Sequence, residues 1–157
     1  MDLSDPVARP MRLSPAGKRD VRTQFGALPY RVRNGKLQIL LITTRRTRRW
    51  VIPKGWPQDG ATPSDSASTE AFEEAGVEGV ASPQCLGIFT YIKEMDGDDL
   101  PCVVAVFPLK VKKVLKDWPE KAARSRRWES PKKAARLVQE PELARMLATF
   151  DPKALKI

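Results

Sequence analysis

The chain has 157 residues and a formal net charge of +9, from 28 Lys and Arg against 19 Asp and Glu, and it contains no histidine. That absence excludes Ser-His-Asp and Cys-His nucleophilic systems, imidazole metal ligands and the usual base near neutral pH, leaving Asp, Glu, Lys, Tyr and Cys for any proton chemistry. The length suits one domain with a buried core, and a hydrophobic content of 41% lies above that of a disordered chain.

Residues 1–20 are mixed in charge, carry Pro6, Pro10 and Pro15, and lack the apolar run of a secretory signal. They are expected to form a flexible arm ahead of a single domain over 21–157. No stretch nears the roughly 20 apolar residues of a membrane helix, and a cytoplasmic protein is expected. Residues 24–32 are strand-like but interrupted by Gly26 and Pro29; Asn34-Gly35 then marks a tight turn into the apolar run 37–42. A basic loop, 45–49, leads to Trp50-Val51-Ile52 and a Pro/Gly-rich loop through Gly60.

A helix follows with clear signals at both ends: Thr62 to cap it, Pro63 at its first position, Asp65 completing a box-like pair, and Gly76 to stop it. Residues 86–92 and 102–111 read as two further strands around the acidic turn 94–99, with Cys85 and Cys102 as buried thiols in apolar runs. A basic connection around Trp118 leads to Arg126-Arg127-Trp128, and 131–139 and 141–150 suit short amphipathic helices. Strands on either side of a central helix, with helices at the end, predict an α/β fold with a mixed, partly antiparallel sheet covered on both faces.

The most informative segment is the end of the first helix, Thr69-Glu70-Ala71-Phe72-Glu73-Glu74-Ala75-Gly76-Val77. At about 100° per residue, Glu70, Glu73 and Glu74 share one narrow sector, while Ser68, Ala71, Phe72 and Ala75 gather opposite and face the sheet. Each like-charged pair costs roughly 0.2–0.5 kcal/mol. The negative end of the helix dipole adds to that cost, and the helix holds no Lys or Arg to offset it. Local stability would not select this arrangement; a hard divalent cation such as Mg²⁺ or Mn²⁺ would, and a solvated acidic face is the alternative reading of these residues alone.

Residues 55–77 resemble the Nudix box, G-x5-E-x7-R-E-U-x-E-E-x-G-U with U aliphatic. Gly55, Glu70, Ala71, Glu73, Glu74, Gly76 and Val77 match in register, while Ala61 stands at the first Glu and Thr69 at the Arg. In the family that Arg is understood to orient a neighbouring glutamate, so Thr69 bears on rate more than on metal binding. The flanks are similar to the diphosphoinositol polyphosphate phosphohydrolase and diadenosine polyphosphate hydrolase branch. Arg45 and Arg49-Trp50-Val51-Ile52-Pro53 lie before the box; Leu86-Gly87-Ile88-Phe89, Asp117-Trp118 and Arg124-Ser125-Arg126-Arg127-Trp128 lie after it.

The resemblance implies a Nudix fold, an α-β-α sandwich, and Mg²⁺- or Mn²⁺-dependent hydrolysis of a phosphoanhydride. It makes Glu70, Glu73 and Glu74 both catalytic and metal-holding. Gly55 and Lys54 would form the loop at the metal–phosphate cluster, and Arg45, Arg49, Arg124 and Arg126 would bind phosphate as guanidinium forks. Trp56, Tyr91 and Lys93 are candidate substrate contacts. The implied substrates are diphosphoinositol or diadenosine polyphosphates, whose charge suits a basic chain. RNA 5′-pyrophosphohydrolysis, with nucleic acid entering only as a substrate end, is an alternative. A ligand-binding module with little turnover is another. A monomer or weak dimer is expected, with no membrane partner.

Overall fold

β1 (Arg22–Arg33) is the strand from which the rest of the sheet is laid out. The computed structural model describes residues 9–13, 21–95 and 97–155. Along one edge β1 runs parallel to β7 (Asp98–Val114), pairing from Arg22 with Cys102 to Tyr30 with Lys110. Along the other edge it pairs first with the two-residue β4 (Lys54–Gly55) and then, from Tyr30 on, with β2 (Lys36–Thr43). Asn34 and Gly35 both hold positive φ, 52° and 74°, which gives the tight turn between β1 and β2 its hand.

β7 repeats this division: its first half pairs antiparallel with β6 (Gly87–Met95) and its second half with β5 (Val77–Ala81). β3 (Trp50–Val51) and β8 (Arg126–Glu129) both pair with β2. The expected mixed sheet is present: β1 and β7 run parallel, and the other paired strands described run antiparallel. β5 and β8 are strands that the residue pattern did not announce; Glu78-Gly79 and Arg126-Arg127 lack the alternation that would have marked them.

Among the described residues three α-helices cover this sheet. α1 (Pro63–Glu70) packs on β1 and β5, α2 (Pro131–Leu137) on β2, and α3 (Pro141–Ala148) on β6. Between the layers lie Leu28, Ile39 to Ile42, Ile52, Phe89, Val104, Val106, Leu109, Leu143 and Leu147, all essentially inaccessible to water. Cys102 is buried, but Cys85 is exposed, because it sits in the turn before β6 rather than within the strand.

Of the expected arm, residues 1–8 and 14–20 lie outside the described residues, as does Asp96 of the acidic turn. Met11 is tied down: its N–H donates to the Ala61 carbonyl at 2.9 Å and its carbonyl accepts from Gly60 N–H at 2.9 Å. Among the described residues no helix is long and apolar enough to cross a membrane.

Candidate active site: an acidic helix end beside a basic cleft

The helix start follows the sequence signals. Thr62 Oγ1 accepts from Asp65 N–H at 3.2 Å and Pro63 occupies the first turn. Ser66, fully buried, accepts Gln58 N–H at 3.2 Å and so ties the preceding loop to the helix.

The helix end departs from the ideal projection. From Ala71 to Ala75 it widens into a π turn, stopped by Gly76 at φ 66°. A wider turn advances each residue by less than 100°, so the expected faces are redistributed. Glu74 turns inward and is buried with Ala71 and Ala75, while Phe72, expected on the core side, is 36% exposed. The three glutamates therefore do not share one solvent-facing sector.

Each carboxylate has a distinct setting. Glu74 Oε1 accepts Lys54 N–H at 3.0 Å, and Oε2 accepts from Arg124 Nη2 at 3.0 Å, in an ion pair whose side chains are only 10–11% exposed. Burial raises its proton affinity; Arg124 and Lys54 oppose that. Glu70 lies against Gly55 so closely that a Cβ there would sit 2.2 Å from its carboxyl carbon. Burial, followed by the charges of Glu74, Glu73 and Glu120, pushes the Glu70 carboxyl up to about 7. Glu73 is partly exposed at the helix surface.

Sequence reasoning missed Glu120. It accepts from Arg124 Nε at 3.0 Å and from Arg45 Nη2 at 2.8 Å, and it acts electrostatically on both Glu70 and Glu74. Its signal was faint: an acid in a basic connection, close to Asp117 and four residues before an arginine.

The cations offsetting the helix end come from that same connection, which is why the helix itself contained none. Glu120 N–H donates to Glu73 O at 3.0 Å, Trp118 Nε1 to Glu74 O at 3.2 Å, and Leu115 N–H to Gly76 O at 2.8 Å. Arg126 Nη1 donates to Ala75 O at 2.9 Å and Gly76 O at 3.2 Å, its Nη2 to Leu115 O at 2.6 Å, and its guanidinium lies 3.9 Å from the Trp118 ring centre. The terminal carbonyls a helix leaves open are thus satisfied, with a positive charge at the negative end of its dipole. Arg126, expected among the phosphate-binding arginines, thus has its Nη groups on carbonyls behind the helix.

Arg124, two residues earlier, goes to the other side. Besides the two glutamates it donates from Nη1 to Thr43 O at 3.0 Å. It thereby supplies a guanidinium to the box glutamate, a part that Thr69 cannot play; Thr69 Oγ1 is turned back to Asp65 O at 3.1 Å.

Next to this cluster opens a cleft of about 280 Å³ lined by Arg45, Arg46, Arg49, Lys54, Lys93 and Arg124, with Thr44, Thr47, Tyr91 and Ile92. It brings together Arg45, Arg49, Arg124, Lys54, Tyr91 and Lys93 of the expected site and adds Arg46. Among the described residues no carboxylate lines it. Lys54 Nζ sits 4.7 Å from the Tyr91 ring centre, and burial pushes its pKa down; Glu74 and Glu140 oppose this, and Arg124 and Lys93 add to it. Tyr91 is fixed by its hydroxyl donating to Gln24 Oε1 at 2.6 Å. Trp56 does not line the cleft: it is 38% exposed and reaches it only through Lys93, whose Nζ lies 5.0 Å from its ring.

Among the described residues no three His, Cys, Asp or Glu side chains converge closely enough to hold a metal ion as they stand. The donor chemistry nonetheless fits a hard divalent cation. Glu70 is surrounded by three like charges and resists ionisation, a cost that such an ion would relieve.

Comparison with known proteins gives the family and the fold. The family model described as NUDIX domain matches residues 22–150. Nudix hydrolase 12, mitochondrial, of Arabidopsis thaliana is 32% identical over 146 residues, covering 82% of this chain and 72% of that protein. Diphosphoinositol polyphosphate phosphohydrolase 2 of Rattus norvegicus is 30% identical over 105 residues, covering 65% of this chain and 60% of that one. In fold, a C. elegans Ap4A hydrolase binary complex superposes with a TM-score of 0.61 at 21% identity, covering 82% of this chain and 93% of that one.

Proposed function

The chain belongs to the Nudix family and is a pyrophosphohydrolase of that type; we propose that it uses Mg²⁺ or Mn²⁺ to cleave a phosphoanhydride in a polyphosphorylated small molecule, a dinucleoside polyphosphate or a diphosphoinositol polyphosphate. The observation that supports this reading most is the abutment of two opposite charge fields. Arg124 lines the cationic cleft and also pairs with Glu74 of the acidic helix end. A polyphosphate lying in the cleft would therefore present its chain to the carboxylates.

Glu70, Glu73 and Glu74 would hold the cation, with Glu120 as a fourth carboxylate in electrostatic contact with the set. The ion supplies neutralisation of charge on the phosphate oxygens and activation of water. Glu70, which keeps its proton up to about pH 7 in the metal-free chain, must give it up for the ion to bind. Arg124 and the Lys54 amide hold the Glu74 carboxylate in place, and Gly55 leaves the space in which Glu70 lies. With no imidazole in the chain, the proton of the attacking water goes to a carboxylate of this group. Arg45, Arg46 and Arg49 meet phosphate oxygens from the loop before β3, and Lys54, partly buried, meets one as a point charge.

The test incubates purified protein and Mg²⁺ with diadenosine tetraphosphate, a diphosphoinositol pentakisphosphate and 5′-triphosphorylated RNA, and identifies the products. Metal-dependent turnover of one of the first two supports the reading. Turnover of the RNA alone would replace it with 5′-end processing, and turnover of none would make the chain a binding module.

A further inference from the structure

Residues 9–13 belong to the stretch expected to be a flexible arm, yet they clasp the loop that leads from Gly55 to α1. Met11 N–H donates to Ala61 O at 2.9 Å, and Met11 O accepts from Gly60 N–H at 2.9 Å. Leu13 N–H donates to Asp59 Oδ1 at 3.2 Å. The Met11 side chain packs partly buried against the hydrophobic core, whereas Pro10 and Arg12 on either side are exposed. Met11 therefore anchors the segment, and the main chain around it does the holding.

The clasped residues, 56–61, form no helix or strand, and Gly60 turns at φ 81°. Ala61 N–H returns to Gln58 O at 3.2 Å, and Gln58 N–H reaches the buried Ser66 Oγ at 3.2 Å. Hydrogen bonds thus run without a break from the arm through the loop to α1. Ser66 lies one turn before Glu70 on the same face of that helix. At its other end the loop begins at Gly55, whose missing Cβ leaves the space that the Glu70 carboxyl occupies. Both ends of the loop bear on one carboxylate. Ala61 stands where the Nudix box has its first glutamate, and its methyl group can accept or donate nothing. The arm takes up its carbonyl instead.

We propose that residues 9–13 are a positioning segment of the active site, fastening the loop through Met11 and so setting where Glu70 lies relative to the cleft. The inference rests on the hydrolase reading above and adds to it a segment that does not line the cleft. A loop without regular structure that loses such hydrogen bonds opens locally while the rest of the domain stays folded. Displacing a reacting constellation by about 1 Å costs on the order of 10²-fold in rate, even when the cause is remote. Release of the arm therefore acts on turnover and leaves phosphate binding by the cleft arginines as it was.

The test compares full-length Met11→Asp, Met11→Leu and Asp59→Ala with wild type. The first puts a charge at the partly buried anchor, the second keeps an apolar anchor, and the third removes the acceptor of Leu13. Amide hydrogen exchange over residues 56–70 is followed in the metal-free chain. Mg²⁺-dependent hydrolysis is measured on whichever of the three substrates above wild type turns over fastest. In Met11→Asp, exchange at Gly60 should quicken about tenfold, as for the loss of a hydrogen-bonded clasp. Its kcat should fall roughly tenfold while KM stays within about twofold. Met11→Leu should return both quantities to within about twofold of wild type, and Asp59→Ala should shift them the same way by less. Unchanged exchange in Met11→Asp, or unchanged kcat despite a released loop, overturns this inference alone. So does faster exchange that spreads across the sheet with KM rising as far as kcat falls, since the arm would then serve general stability. Absence of wild-type turnover on all three substrates removes the hydrolase reading, and this inference with it.

Discussion

The acidic helix end and the basic cleft are both clusters of one charge, yet the protein treats them differently. At the helix end, Glu74 is neutralised by Arg124 and a backbone amide, and the carbonyls around it are capped by Trp118, Glu120 and Arg126. In the cleft, Arg46, Lys54 and Lys93 line one wall set with no acidic residue among the described ones, and only part of the positive charge is drawn off by Glu120, Glu140 and Glu74. The first region is a frame in which Glu70, set among three like charges, is offset only in part by Arg124; the second is a surplus. The difference indicates where each ligand component goes: a cation to Glu70 and its neighbours, an anion to the cleft.

The largest break in this contrast should come from Gly55→Ala. The new Cβ would fall 2.2 Å from the Glu70 carboxyl carbon, so the side chain must leave its place. Because misplacing a reacting constellation by about 1 Å costs on the order of 10²-fold, turnover should drop at least that far, with the far-ultraviolet circular dichroism unchanged. Retained turnover would show that the position of Glu70 is immaterial.

Next in size is Arg124→Gln, which leaves Glu74 a buried, unpaired carboxylate. Urea unfolding should show a loss of about 3–5 kcal/mol, as for breaking a buried pair by removing one partner. Thr69→Arg added to this variant should recover part of the lost turnover by bringing a guanidinium back to the helix. Arg126→Ala should be milder, about 1–2 kcal/mol for a lost helix-end cation and its hydrogen bonds. The KM for a polyphosphate should stay within twofold in Arg126→Ala and rise in Arg46→Ala. Equal KM effects would erase the distinction between frame and cleft.

The smallest effect concerns pH. Folding raises the Glu70 carboxyl from an ordinary value near 4.5 to about 7, so the folded chain binds this proton more tightly than the unfolded one. The penalty for ionising Glu70 is absent below about pH 4.5 and complete above about pH 7. Without metal, the thermal midpoint of Glu70→Gln should therefore rise relative to wild type as pH goes from 5 to 8, and saturating Mg²⁺ should flatten that trend.

Much of this was legible in the residue order because it depends on local geometry. Thr62, Pro63, Asp65 and Gly76 mark the helix through backbone requirements that no distant contact changes. The spaced match from Gly55 to Val77 likewise carried the family. What could not be read was set by tertiary contact. Arg124 and Arg126 are the same residue two positions apart, but one turns to the carboxylates and the other to the helix carbonyls, a choice made by how the connection docks. Phe72 and Glu74 exchanged faces because a π turn has no signature in composition. Glu120 and Glu140 belong to no motif in the residue order, and only the fold places them beside arginines.

The most direct measurement of the central claim is hydrolysis of diadenosine tetraphosphate by wild type and Glu70→Gln, with Mg²⁺ and with chelator. The account predicts that chelator abolishes wild-type turnover. It also predicts that Glu70→Gln lowers kcat by at least ~10²-fold while KM changes little, because the cleft that binds phosphate is untouched. Turnover that persists in chelator, or at near wild-type rate in Glu70→Gln, would contradict it.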